Sequence, residues 1–546
     1  MKGNVLRFIP LGGIGEIGKN MYAYEYRGQI LVVDSGLMFP TNDMLGIDYL
    51  IPDFQYLIDH RDRVRGIVIT HGHEDHTGAI AHLMQSVQAP IYATPLTMGL
   101  VEVKLGKARL GYKPDLHTVH AGDTVQIGPF KVTFYHVTHS IPDAVGLGID
   151  TPAGLIVHSG DYKFDQSPVD GWPSDYGQLV EFGRRGVLAL MADSTNAERP
   201  GWTPSEKAIE PAFEQVFSEA KGRIFVACFA SAISRIQQVA DIARQHGRKI
   251  TFQGMSMVDN TKMARTLGYL KIPDDQLVTL DRALAMKDDQ VLILCTGSQG
   301  EPTSVMGRLS NGALRQLSIK PGDTVVLSAH PIPGNEENVS RTINSLFAQG
   351  ANVIYDPIAS VHVSGHASQE EIKMLIHLTN PRYLIPMHGE LRHLHQHAHL
   401  AQQLGMAQDH IQLVENGQVV EFENGQMRLG ERLPSSTIYV EGTTVADVGP
   451  EVIRERESLA KDGVVMVHLS VSKKNHKLQR EPEILSRGFI VDRDGDQLLA
   501  QARKRIHDAV ARSDGNLTKL VEQTLGNYFY SETRRRPTIF VTVSEA

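Results

Sequence analysis

Apolar residues are distributed along this chain in two rhythms. Over roughly the first two hundred positions they come in short β-branched and aromatic bursts. Val5–Pro10, Met21–Tyr26 and Ile30–Asp34 alternate and break as antiparallel strands do, and further strands follow over 116–140, 154–161 and 188–193. From 205 to 350 the pattern changes to helix and strand in alternation. Ser205–Glu219, Ser234–Gln245 and Asn338–Gln349 read as helices, and Arg223–Ala227, Val291–Leu294 and Thr324–Leu327 as strands between them. That alternation predicts a separate α/β domain with a mostly parallel sheet. Residues 450–460 read as a charged helical linker. From Gly463 a last set of strands and two helices, Leu498–Ala511 and Leu517–Tyr530, predicts a small α+β domain.

Several strands end in histidine or aspartate, and one of these ends carries an unusual density of metal-ligand types. After the buried run Arg65–Thr70 comes His71-Gly72-His73-Glu74-Asp75-His76, the pattern H-x-H-x-D-H, followed by a helix start at Ala79. On a helix, residues two apart face away from each other. On a strand-to-helix loop, neighbouring ligands can turn to two different ions, and imidazole and carboxylate suit zinc or a similar divalent metal. His139 and Asp161 follow at the ends of later strands, Asp193 ends Leu188–Asp193, and His388 follows Tyr383–Pro386. Asp34 ends Ile30–Val33 and reads either as a turn former or as a carboxylate orienting a ligand histidine.

Other motifs narrow the picture. Gly13-Ile14-Gly15-Glu16-Ile17-Gly18 matches a dinucleotide fingerprint, but the aromatic, strand-like Met21–Tyr26 follows where that fold needs a helix, so a glycine-rich hairpin loop is expected. His362-Val363-Ser364-Gly365-His366 forms a Gly/Ser turn before the helix Gln369–Leu378, and backbone N–H groups there make a phosphate cradle. The alternating His393, His395, His397 and His399 split onto two faces of a helix, with His395 and His399 one turn apart, and read as a solvated helix face rather than a second metal site.

Composition sets limits. Length argues for about two to four domains. No apolar run is long enough to span a bilayer, and the N-terminus enters a strand at once with no signal peptide, so a cytoplasmic protein with no membrane partner is expected. Cys228 and Cys295 lie in apolar runs and read as core residues. A net charge of −8 excludes a coat of basic charge, while leaving room for a local basic groove that holds phosphates.

The order H-x-H-x-D-H, then His139, then Asp161 resembles the metallo-β-lactamase superfamily. Asp193, His366 and His388 are similar to the three extra motifs of its β-CASP branch, which acts on nucleic acids. Met191–Gly201, Gly297–Pro302 and Pro331–Glu336 together look like the ribonuclease J family, over essentially the whole chain. The resemblance implies an αββα sandwich over 1–205 with a return segment at 361–448. It implies an inserted β-CASP α/β domain over 206–360, a linker at 449–462 and a C-terminal domain over 463–546. It implies that His71, His73 and His139 bind one divalent cation, that Asp75, His76 and His388 bind a second, and that Asp161 bridges them, with zinc or manganese as the metal. Asp193 and His366 carry acid–base catalysis, and His362–His366 hold a substrate phosphate. Asp48 and Asp447 are candidates for a structural calcium. The implied activity is cleavage of single-stranded RNA from 5′-monophosphate ends and internally, in RNA maturation and decay. The implied assembly is a homodimer or homotetramer, with an RNA-degradation complex as a candidate partner. A small-molecule hydrolase explains the ligands but not the inserted domain, and a non-catalytic RNA-binding protein would not need every ligand position filled.

Overall fold

The computed structural model describes residues 4–442, 444–445, 449–473, 477–490, 495–512 and 516–545. They form two compact units, one of residues up to 39 together with 49–438, the other of 40–48 together with the chain from 439 onward.

The first unit is built on two facing sheets. One has eight strands, in the order Gln426–Arg432, Gln418–Glu423, Leu6–Gly12, Met21–Tyr26, Gln29–Val33, Val64–Val68, Ile91–Ala93 and Leu116–Thr118. The other has six, in the order Tyr383–Met387, Val187–Asp193, Gly154–His158, Val145–Thr151, Phe130–His136 and Thr124–Ile127. Phe8, Tyr24 and Val33 from one sheet meet Phe134, Leu147 and Met191 from the other in a continuous core. On the outer face of the six-stranded sheet, Phe182, Ile372, Leu375 and Leu400 seal the helices Tyr176–Arg185, Gln369–Thr379 and Leu391–Gln403. This is the layering expected of an αββα sandwich. The glycine run 13–18 connects Leu6–Gly12 to Met21–Tyr26, and these pair antiparallel, so the hairpin reading of that motif holds. Period-two alternation sends Tyr22, Tyr24 and Tyr26 into the core. Glu25, on the opposite face, is buried too and is neutralised by Arg7 at 2.6 Å.

Within the same unit lies a five-stranded, all-parallel sheet, in the order Lys249–Gln253, Val291–Cys295, Ile224–Ala227, Thr324–Leu327 and Asn352–Tyr355. Both of its faces are covered by helices, which is why its strands are apolar without alternation. Cys228 and Cys295 are free thiols buried here. Arg223 and Asp323 form an ion pair beneath this sheet, with Nε and Nη2 at 3.0 and 2.5 Å from the carboxylate. Both side chains are almost wholly enclosed.

In the second unit, Glu483–Arg487, Val464–Val471 and Thr538–Glu545 form a mixed sheet. It packs through Val465, Val467 and Leu469 on the helices Gly495–Ala511 and Leu517–Thr533. Residues 40–48 were expected in the first domain, and 450–460 as a charged helical linker; that helix forms, over Pro450–Asp462. The chain instead ties 40–48 into the second unit, where Asp48 N–H donates to Val440 O at 2.9 Å and Gly442 N–H to the Asp48 carboxylate at 2.7 Å. Pro450–Asp462 is a helix of that unit, and its Arg456 donates to Leu45 O. Asp447, the other half of the candidate calcium pair, lies outside the described residues.

Replacing one partner of an enclosed ion pair strands the other charge. Asp323→Ala should therefore destabilise the protein by about 3 kcal/mol. Urea unfolding followed by circular dichroism would measure this, and an unchanged midpoint would contradict it.

Candidate metal centre

The two sheets bring every strand-end ligand to one edge. Val187–Asp193 runs parallel to Gly154–His158 on one side and to Tyr383–Met387 on the other, so their C-terminal ends align. Asp193 closes its own strand, while Asp161 and His388 follow theirs by a few residues. The H-x-H-x-D-H segment leaves Val64–Val68 and enters a short helix at Glu74–Thr77, with His73 still extended just before it. The turn sends His71 and His73 to one point and Asp75 and His76 to another.

At the first point, His73 Nδ1 stands 3.1 Å from His71 Nε2 and 3.1 Å from His139 Nε2. Nitrogens around a tetrahedral zinc would be on the order of 3.3 Å apart, so the three can share one ion without rearrangement. At the second point, His76 Nε2 lies 3.5 Å from Asp75 Oδ2, and His388 Nε2 lies 3.3 Å from that same oxygen. Asp161 stands between them. Its Oδ2 is 3.2 Å from His76 Nε2, 3.7 Å from His71 Nε2 and 3.8 Å from His139 Nε2. Asp161 Oδ2 and His388 Nε2 are both buried without a hydrogen-bond partner. Orphaned lone pairs at such depth are costly unless a cation takes them, so the donor set fits divalent metal ions.

The electrostatics separate the two groups. Burial pushes His71 and His139 well down and His73 to about 4, so these three are neutral ligands at neutral pH. Burial also opposes charge on His76 and His388. There the carboxylates overrule it, Asp161 first in both cases, raising His76 strongly and His388 to about 10. In the metal-free protein these protons stand in for cationic charge, and a metal ion would displace them.

The surrounding contacts fix each ligand's orientation. Asp34 Oδ2 accepts from His76 Nδ1 at 2.8 Å, while Asp34 also accepts from Thr70 N–H at 2.8 Å. Asp34 is thus an orienting carboxylate rather than a turn former. Its backbone, like that of His388, is left-handed, with φ of 64° and 48°. His139 Nδ1–H donates to Gly365 O at 2.8 Å, which turns Nε2 to the centre. A Cβ on Gly365 would sit 2.6 Å from that imidazole, so glycine is required there. His366 Nδ1 lies 2.8 Å from Asp193 Oδ2 and 3.8 Å from Asp161 Oδ2. Asp193 and Asp161 hold His366 above its ordinary pKa, against burial.

The phosphate-cradle turn is tied to the same place. Asn196 Nδ2 donates to Ser364 Oγ at 2.8 Å and to His366 O at 3.0 Å. His362 Nδ1 is 2.7 Å from Arg235 Nη1, and Arg235 is buried in an ion pair with Glu206. Thr70, Asn196 and Arg235 carried no sequence signal of their role, because each acts through a partner distant in the chain. The alternating histidines depart from expectation. His395 and His399 are exposed, but His393 and His397 are buried, and His397 Nδ1 meets Ser194 Oγ at 2.9 Å beside Asp193.

Family models match the chain from near its start to its end. They are a beta-lactamase superfamily domain over residues 46–172, the ribonuclease J beta-CASP domain over 221–346, a Zn-dependent metallo-hydrolase RNA specificity domain over 350–413 and the ribonuclease J C-terminal domain over 451–546. Ribonuclease J2 of Bacillus subtilis is 40% identical over 547 residues, spanning 99% of this chain and 98% of that protein. The chain belongs to the ribonuclease J family. Ribonuclease J of Synechocystis is 45% identical over 488 residues, 89% of this chain and 76% of that protein. A solved structure from Enterococcus faecalis, of a protein of unknown function, shares the fold with a TM-score of 0.52 at 14% identity, covering 78% of this chain and all of that one. As a ribonuclease J family member, the protein is a metal-dependent, RNA-hydrolysing enzyme with a β-CASP domain.

His73→Ala and Asp161→Ala should each reduce bound metal and abolish RNA cleavage. Elemental analysis of the purified variants, beside a cleavage assay, checks this, and full activity in either variant would remove that residue from the centre.

Proposed function

We propose that this ribonuclease J family enzyme degrades single-stranded RNA 5′→3′ from 5′-monophosphate ends and also cuts internally, in RNA maturation and decay. The observation that carries this reading is the buried, unpartnered Asp161 oxygen set between two histidine groups, with the Asp193–His366 pair alongside. His71, His73 and His139 would hold one divalent cation and Asp75, His76 and His388 a second, with Asp161 shared and zinc or manganese as the metal. When bound, such ions supply hydroxide at neutral pH and offset charge building on the phosphate.

The chain's own groups then handle the protons. Water oxygen bonds to phosphorus, the bond to the 3′-oxygen breaks, and that oxygen takes a proton from the Asp193–His366 pair. Asp193 is assigned as donor and His366 as acceptor, roles the 2.8 Å hydrogen bond allows to exchange. The products are a 5′-phosphate and a 3′-hydroxyl.

The preference for a 5′-monophosphate is supported by charge around the turn His362, Val363, Ser364, Gly365 and His366. Burial, then Arg235, His330, Arg199 and Lys163, holds His362 well below its usual pKa. A field that disfavours an imidazolium favours a phosphate. The strand would reach this turn along the cleft between sandwich and β-CASP domain.

A homodimer, extending to a tetramer, is supported by the second unit. Leu485 and Phe540 flank Met466 in register across its sheet, and all three are exposed. Among the described residues no helix is long and apolar enough to cross a membrane. Action in the cytoplasm, with an RNA-degradation complex as partner, completes the proposal.

A 5′-labelled, 5′-monophosphate RNA should release labelled mononucleotide, and a chelator should stop the release. Internal fragments alone would reject the 5′-end reading. His366→Ala should lower turnover by about a hundredfold or more with metal content intact, and loss of metal would instead make His366 a ligand.

A further inference from the structure

The chain has two tryptophans in 546 residues, and neither is buried. Trp172 is 43% exposed and Trp202 is 52% exposed. Indole normally repays its size by burial, so two exposed indoles on fixed backbone need a use. Both stand on loops that lead directly to the metal centre.

Trp202 lies in the loop after Asp193. That loop is fastened to the turn carrying His366. Thr203 Oγ1 donates to His366 O at 2.7 Å, Thr203 N–H to Glu371 at 2.8 Å, and Glu370 N–H to Gly201 O at 3.1 Å. The left-handed Gly201, φ 75°, shapes the bend just before the indole. The backbone is therefore held on both sides of Trp202, and Arg199 is exposed on the same loop.

Trp172 is fixed differently. Its ring lies flat on His136, with centroids 3.8 Å apart and planes 8° apart. His136 Nδ1–H donates to Pro173 O at 2.9 Å, locking the imidazole under the indole. His136 stands three residues before His139 and shares with it the wall of a cavity that also includes Val169, Asp170 and Glu206. A flat apolar ring beside that wall suits a nucleobase.

We propose that Trp172 and Trp202 are stacking platforms for unpaired bases of the RNA strand that leads to the phosphate being cut. This rests on the ribonuclease reading for its substrate and adds the two subsites. Stacking of this kind tolerates any base and requires a single strand, because paired bases hide their faces.

The indoles report on their own occupancy, since the chain has no others. On rapid mixing with single-stranded RNA, before turnover, tryptophan emission should be quenched. RNA of equal length with abasic ribose in place of the nucleosides should leave emission unchanged. Trp172→Ala and Trp202→Ala should each raise KM for RNA roughly tenfold, with Trp172→Phe and Trp202→Phe restoring most of it. Each Phe variant should also lose its own share of the quench. Cleavage with unaltered emission, and KM unchanged in both Ala variants, would overturn the platforms and leave the ribonuclease reading standing. A response from one indole alone would overturn the assignment of the other. No cleavage and no strand binding in the parent protein would overturn the ribonuclease reading, and the platforms with it.

Discussion

Burying like charges and lone pairs together is unfavourable unless something of opposite sign is placed among them, and this enzyme is built around such a place. Asp161 Oδ2 has four imidazole nitrogens within 4 Å, from His71, His76, His139 and His366, and it makes no hydrogen bond. A carboxylate in that setting is stable only beside cationic charge. Protons on His76 and His388 supply it in the metal-free protein, and divalent ions, for which the donor set fits, would supply it once bound. The left-handed backbone of Asp34 and His388 and the close approach of Gly365 to His139 serve to hold these groups at the required separations.

The same constraint links the Asp193–His366 pair, proposed for acid–base work, to the proposed metal ligands. His366 and His388 both lean on the carboxylates of Asp161 and Asp193, so a change at either carboxylate is felt at both imidazoles. The turn that carries His366 also receives His139 through Gly365 and Asn196 through Ser364. The turn proposed to hold substrate and the residues proposed to hold metal are therefore one connected hydrogen-bonded structure. Movement of the turn would be felt at the metal centre.

The inserted α/β domain contributes through buried charge. Arg235, on a helix of that domain, is enclosed with Glu206, and from there reaches His362 and the carbonyls of Ser328 and Val363. One guanidinium thus ties the insertion to the turn beside the catalytic residues.

Local pattern was enough to mark the strands of the first domain, a separate α/β domain by its helix–strand alternation, and a metal-ligand motif in H-x-H-x-D-H. The resemblance carried by that motif with His139, Asp161, Asp193 and His388 implied the sandwich, the β-CASP insertion and the candidate centre, whose side chains the fold brings together. Such features lie within a few residues of one another or at the ends of regular elements, where chain geometry limits the outcomes. Folding alone decided the rest. Asp34 could be a turn former or an orienting carboxylate until Thr70 and His76 were brought to it. His393 and His397 turned inward because the helix Leu391–Gln403 presents one side to Ser194 and the sandwich. Residues 40–48 joined the second unit through hydrogen bonds to residues some four hundred positions away. Each outcome depends on which distant group arrives to satisfy a donor, an acceptor or a charge, and no local window of sequence contains that partner.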